Sequence, residues 1–103
     1  MSKKEISKEF ARLRDFGFDV WNYNEKKPLR RAQSGFVDHH LMSYNYDVYI
    51  EVKLPGDKYR DRQEDLAKKI SHLSTTNKAI HYRLVRSLAD AKRLVDLLLE
   101  RKL

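Results

Sequence analysis

The stretch from Asp47 to Leu54 (DVYIEVKL) constrains this chain more than any other. Its strict alternation puts Val48, Ile50, Val52 and Leu54 on one side of an extended strand, and Asp47, Tyr49, Glu51 and Lys53 on the other. The aliphatic side belongs to a core, so the strand must sit in a sheet with helices packed on it. Glu51 and Lys53 then share the opposite face, two residues apart. Residues 36–43 form a second extended run, joined to the first through Tyr44-Asn45, where Asn tolerates the left-handed backbone of a tight turn. A turn centred between 44 and 45 makes the pairing antiparallel and sets Asp38 directly opposite Glu51, on the same face.

Two carboxylates facing each other across a ladder are unfavourable unless a cation lies between them. With hard oxygen donors and no Cys in the chain, the expected cation is magnesium or manganese. The segment after Pro55-Gly56-Asp57 reads as a helix with Asp57 as its N-cap. Its apolar positions are Tyr59, Leu66, Ala67, Ile70 and Leu73, and Gln63 falls on the same buried stripe. A Gln facing the sheet needs a polar partner, which a carboxylate–metal cluster would supply.

Gly35-x-x-Asp38, Glu51-Val52-Lys53, Pro55-Gly56-Asp57 and Gln63 together resemble the virus-type replication-repair nuclease (VRR-NUC) domain of the PD-(D/E)XK nuclease superfamily. The resemblance covers nearly the whole chain, departing at Val37, where the family usually has Pro. It implies an α/β (α+β) fold with a mixed sheet flanked by helices. The implied activity is Mg2+- or Mn2+-dependent hydrolysis of DNA phosphodiesters by an endonuclease acting on structured or branched DNA in replication or repair. The implied catalytic set is Asp38, Glu51, Lys53 and Gln63. Asp38, Glu51 and the Val52 carbonyl would hold the metal, and Lys53 would orient or activate the attacking water. An acidic residue on the first helix often joins such sites, and Glu5 fits that place better than Glu9. The same residues are similar to those of Holliday junction resolvases in this superfamily. A nuclease-like binding module without activity is the other alternative.

The formal charge of +7 suits a polyanionic partner, through counterion release from phosphates. The segment 24–34 carries Lys26, Lys27, Arg30 and Arg31 against one Glu and leads toward Asp38, which suits contact with the DNA backbone. On the proposed register His39 lies opposite Ile50 on the core face. His40 lies opposite Tyr49 on the site face, where it can contact phosphate or carry a proton. No apolar run reaches the roughly 18 residues of a membrane span, and no signal peptide precedes the first helix. The expectation is therefore a cytoplasmic protein of a bacterial or phage-infected cell, without membrane association or a small-molecule cofactor.

The remaining elements follow from periodicity. Ser2 to Glu5 has capping-box spacing, Ile6, Phe10, Leu13 and Phe16 form a helical stripe, and Gly17 ends it. Residues 18–23 alternate as a short strand, with Phe18, Val20 and Asn22 opposed to Asp19, Trp21 and Tyr23. Residues 79–85 alternate as another strand, Ile80, Tyr82 and Leu84 against His81 and Arg83. Ser87 caps a last helix whose broad leucine-rich face packs the core and leaves room for a homodimer contact. The expected order is α-β-β-β-α-β-α in one domain, residues 1–103.

Overall fold

The computed structural model describes residues 3–22, 37–57 and 61–103. Helix α1 (Lys3–Ala11) runs into a 3₁₀ turn (Arg12–Phe16), followed by strands β1 (Asp19–Asn22), β2 (His39–Met42) and β3 (Asp47–Val52). Helix α2 (Asp61–Thr76), strand β4 (Ile80–Val85) and helix α3 (Leu88–Leu99) complete the order, which matches the sequence expectation. The result is a small α+β protein with a four-stranded mixed sheet in the order β1-β2-β3-β4. Strands β1, β2 and β3 pair antiparallel, whereas β3 and β4 are parallel. Parallel neighbours need a crossover, and α2 provides it.

The β2–β3 register is the expected one, with His39 opposite Ile50 and His40 opposite Tyr49. The turn that produces it differs in detail. Among the described non-glycine residues only Arg101 has a positive φ, so Asn45 is not left-handed. Ser43 N–H donates to the Tyr46 carbonyl at 2.8 Å and the Ser43 hydroxyl accepts the Asn45 N–H at 3.3 Å. A side-chain hydrogen bond thus does what a strained backbone angle was expected to do. The midpoint of the turn, and hence the register, is unchanged.

Val48, Ile50 and Val52 are fully buried, as their alternation requires, against Ile6, Phe10 and Leu13 from the N-terminal helical segment and Ala91, Leu94, Val95 and Leu98 from α3. The broad apolar stripe of α3 is therefore largely consumed by the core. Removing a side chain such as Phe10 from this cluster costs about 3–5 kcal/mol. The sheet's other face carries Asp47, Tyr49 and Glu51, in register with Ile80, Tyr82 and Leu84 of β4. Helix α2 packs along β4, and its buried Ile70 stands apart from the main cluster.

Three expectations need correction. Phe16 is 59% exposed, because the chain tightens to 3₁₀ geometry after Ala11 and the tighter turn rotates it off the stripe. Gly17 does end the segment, at φ 87° with its N–H on the Leu13 carbonyl. Leu73 is half exposed, since α2 covers only the β4 side of the sheet. Asp57 lies four residues before the first residue of α2 and closes its own turn instead. Its carboxylate accepts the Leu54 N–H at 3.1 Å, and its N–H donates to the Leu54 carbonyl at 3.0 Å.

Candidate functional site

Asp38 stands one residue before β2, where the strand bends away. Its N–H donates to the Ile50 carbonyl at 3.0 Å, and its Oδ2 accepts the Val52 N–H at 2.7 Å. The carboxylate thus replaces a strand partner just before β2 begins. Lys53 N–H donates to the Val85 carbonyl at 2.9 Å, so the odd residues of β3 turn their peptide groups to β4. By alternation the Val52 N–H and C=O both point to the Asp38 side.

Glu51 projects on the face that carries Asp38, and is only 2% exposed. Burial, then a hydrogen bond and charge from Asp38, raise its carboxyl from an ordinary 4.5 to about 8, with Lys53 and Lys3 pulling the other way. At neutral pH the Glu51 carboxyl is therefore mostly protonated in the metal-free fold. Lys53 Nζ lies 3.8 Å from Glu51 Oε1. Lys3, at the start of α1, pairs with Asp57 at 3.4 Å and ties the first helical turn to the turn after β3. That contact and the Leu54 N–H hold the Asp57 carboxyl below its ordinary range, the Leu54 bond contributing most.

The residues fit a divalent ion. Two hard carboxylates with a backbone carbonyl on the same side form a donor set of the kind magnesium uses, since that ion keeps waters and takes few protein ligands. Among the described residues no group of three or more His, Cys, Asp or Glu gathers in one place. Glu5 is exposed on α1. Glu9 is buried and paired with Arg12 at 2.5 Å. Gln63 falls in the first turn of α2, but its side chain lies outside the described residues, as do Lys26, Lys27, Arg30 and Arg31.

The histidines divide as their register requires. His39 is buried on the core face, its ring edge against Phe10 at 5.1 Å and its Nε2 3.4 Å from the Ser7 hydroxyl. Desolvation lowers its pKa to about 4 despite the neighbouring Asp38, so it is a neutral core residue. His40 is on the site face, with Nε2 hydrogen-bonded to Asp47. Its ring is stacked between Trp21 (5.3 Å, 23°) and Tyr49 (4.4 Å, 13°). The Tyr49 hydroxyl donates to the second Asp47 oxygen at 3.2 Å. Sequence reasoning does not bring Trp21 to this face, although a Trp on the polar side of a strand is the available signal. Compared with protein-family models, curated proteins and solved structures, the chain finds no match in any of the three.

Proposed function

We propose that this chain is a divalent-metal-dependent DNA endonuclease of the PD-(D/E)XK type, resembling the VRR-NUC domain. One observation carries the reading. Asp38 and Glu51, from neighbouring strands, meet on one face of the sheet with the Lys53 ammonium 3.8 Å from Glu51. The element order and the mixed sheet are compatible with that fold and support the reading.

Asp38 and Glu51 would hold the ion, together with the Val52 carbonyl. When bound, the ion supplies Lewis-acid neutralisation of a phosphate and acidifies water. The chain's own work is positional. The Val52 N–H fixes one Asp38 oxygen at 2.7 Å, so the carboxylate is aimed before any ligand arrives. Burial removes Glu51 from water, which strengthens its attraction for a cation. Lys53 places a positive charge beside the acids, where it can orient a water and offset charge developing on the phosphate. The excess of 22 Lys and Arg over 15 Asp and Glu favours association with the polyanion.

The test is cleavage of supercoiled plasmid in Mn2+ or Mg2+, with EDTA as the control. Wild type should nick or cut, and Glu51→Ala and Lys53→Ala should lose cleavage while retaining DNA binding. Variants that cut as fast as wild type would refute the proposal, as would a wild type that binds DNA and never cuts with either ion. Running linear duplex, flap, four-way junction and single-stranded substrates side by side then separates a repair nuclease from a junction resolvase.

A further inference from the structure

The sheet face that carries the acids also carries a row of aromatic rings. Successive register pairs link Trp21 to His40, His40 to Tyr49 and Tyr49 to Tyr82, one ring on each of the four strands. The first three are stacked at small interplanar angles. Asp47 fixes two of them from their polar edges, through His40 Nε2 and the Tyr49 hydroxyl. Tyr82 closes the row on β4, where α2 packs. At the other end Trp21 stands on the edge strand and remains 42% exposed, with His40 against one side of its ring.

A large exposed ring ending a pre-aligned stack is a poor surface for water and a good one for a flat, apolar heterocycle. Base–aromatic stacking needs no sequence, because every base has a π face. The row also has a fixed place relative to the acids. Asp38 and His40 are two residues apart on the β2 side, as are Glu51 and Tyr49 on β3, so the rows lie about 7 Å apart along the strands. Trp21 lies two strands from Glu51, about 10 Å across the sheet. Trp21 itself is therefore roughly 12 Å from Glu51, and a base on its outer face lies one ring spacing farther out, about two nucleotides from a phosphate held at the carboxylates. Bases inside a duplex are stacked on each other and have no free face to offer. An unpaired strand does.

We infer that Trp21, braced by His40 and Tyr49, is a stacking site for an unpaired base of a single-stranded DNA segment whose backbone passes the Asp38–Glu51 pair. The inference rests on the nuclease reading for the course of the backbone, and it adds a substrate class: single-stranded or locally opened DNA.

Trp21 is the chain's one tryptophan, so its emission reports on this ring alone. The protein is titrated in EDTA with a short oligothymidylate and with a blunt duplex of equal length. Binding is followed in parallel by anisotropy of a labelled oligonucleotide. The expected result is saturable quenching by the single strand, with little by the duplex. Trp21→Ala should weaken single-strand affinity by about 5- to 100-fold without changing the salt slope, since no phosphate contact is lost. Trp21→Phe should keep most of the affinity, and circular dichroism checks that both variants are folded. Emission unmoved at saturation, a Trp21→Ala variant that binds like wild type, or equal quenching by duplex would each overturn the inference. Because no cutting is needed, the two readings fail separately. Quenching without Mn2+-dependent cleavage removes the nuclease and leaves the stacking site, whereas cleavage without quenching removes the stacking site alone.

Discussion

Glu51→Gln isolates the electrostatic cost on which the metal argument depends. In the folded chain the Glu51 carboxyl is raised from 4.5 to about 8, first by burial and then by Asp38. At about 1.36 kcal/mol per pH unit, ionising it in the metal-free fold costs of the order of 3–5 kcal/mol. The folded pKa lies above the unfolded one. The stability Glu51 contributes is therefore fully present below about pH 4.5, is lost as pH rises to about 8, and is absent above that. Gln has nearly the same shape, stays neutral throughout, and its amide can donate to Asp38 where the Glu51 proton did. The two proteins should melt together near pH 4.5 and diverge as pH rises. For a chain of 103 residues, each kcal/mol moves Tm by roughly 4 °C. The Gln variant should therefore melt more than about 10 °C above wild type near pH 9 in EDTA. Far-UV circular dichroism melts across that pH range measure the difference. A gap that stays flat with pH, or a Gln variant less stable than wild type at the alkaline end, would refute the reasoning. Glu51 would then be ionised comfortably beside Lys53, with no unmet need for a cation.

Mn2+ should raise the wild-type Tm near pH 8 by an increment that grows with concentration, about 2.7 kcal/mol at a hundredfold excess over Kd. The same titration on Glu51→Gln should show most of that increment gone. His39 works in the opposite pH window. Its folded pKa of about 4 lies below the ordinary 6.5, so its contribution is intact above pH 6.5 and is lost as pH falls toward 4. His39→Leu should remove roughly 3 kcal/mol of that acid dependence, read from urea midpoints at several pH values, with Ser7 still bonded to the Lys3 carbonyl. Gly17→Ala meets no neighbouring atom but is held at φ 87°, so the backbone alone should cost about 1–2 kcal/mol. Arg101, at φ 56° after α3, is the mirror case. Arg101→Gly should raise the urea midpoint by up to about 1 kcal/mol of stability.

The register was legible because two independent signals agreed. The period of two in residues 47–54 fixed which side chains share a face, and the midpoint between Tyr44 and Asn45 fixed which residues face each other. Neither depends on the turn's backbone angles, so the register survived although Asn45 is not left-handed. Phe16 was misplaced because a helical period presumes a continuous α-helix, and a switch to 3₁₀ geometry after Ala11 leaves no mark on hydrophobic spacing. The aromatic row was hidden for a different reason. Trp21, His40, Tyr49 and Tyr82 are far apart in the chain, and their alignment needs three registers at once. The parallel β3–β4 register, set by packing of α2, has no local turn to reveal it.

The two acids differ in what the fold asks of them. Asp38 serves the backbone, because its carboxylate satisfies the Val52 N–H just before β2 begins. Leaving that buried donor unpaired would cost about 1–3 kcal/mol. Asp38 is thus accounted for by folding, and its presence alone argues little for chemistry. Glu51 is placed at a greater electrostatic cost. Its position on β3 is buried, shared with a second carboxylate, and expensive to ionise. Against the roughly 5–15 kcal/mol that holds a small domain together, a penalty of several kcal/mol is large, and a neutral side chain of similar shape would avoid it. Lys53, at 3.8 Å, offsets part of the penalty and leaves the carboxyl still near 8. A residue that weakens the metal-free fold at neutral pH and would be stabilised by a bound cation is a sharper sign of function than the pair of acids taken together. Within the cluster that carries the nuclease reading, Glu51 is therefore the member that points to a cation, with Asp38 aimed beside it by an ordinary hydrogen bond.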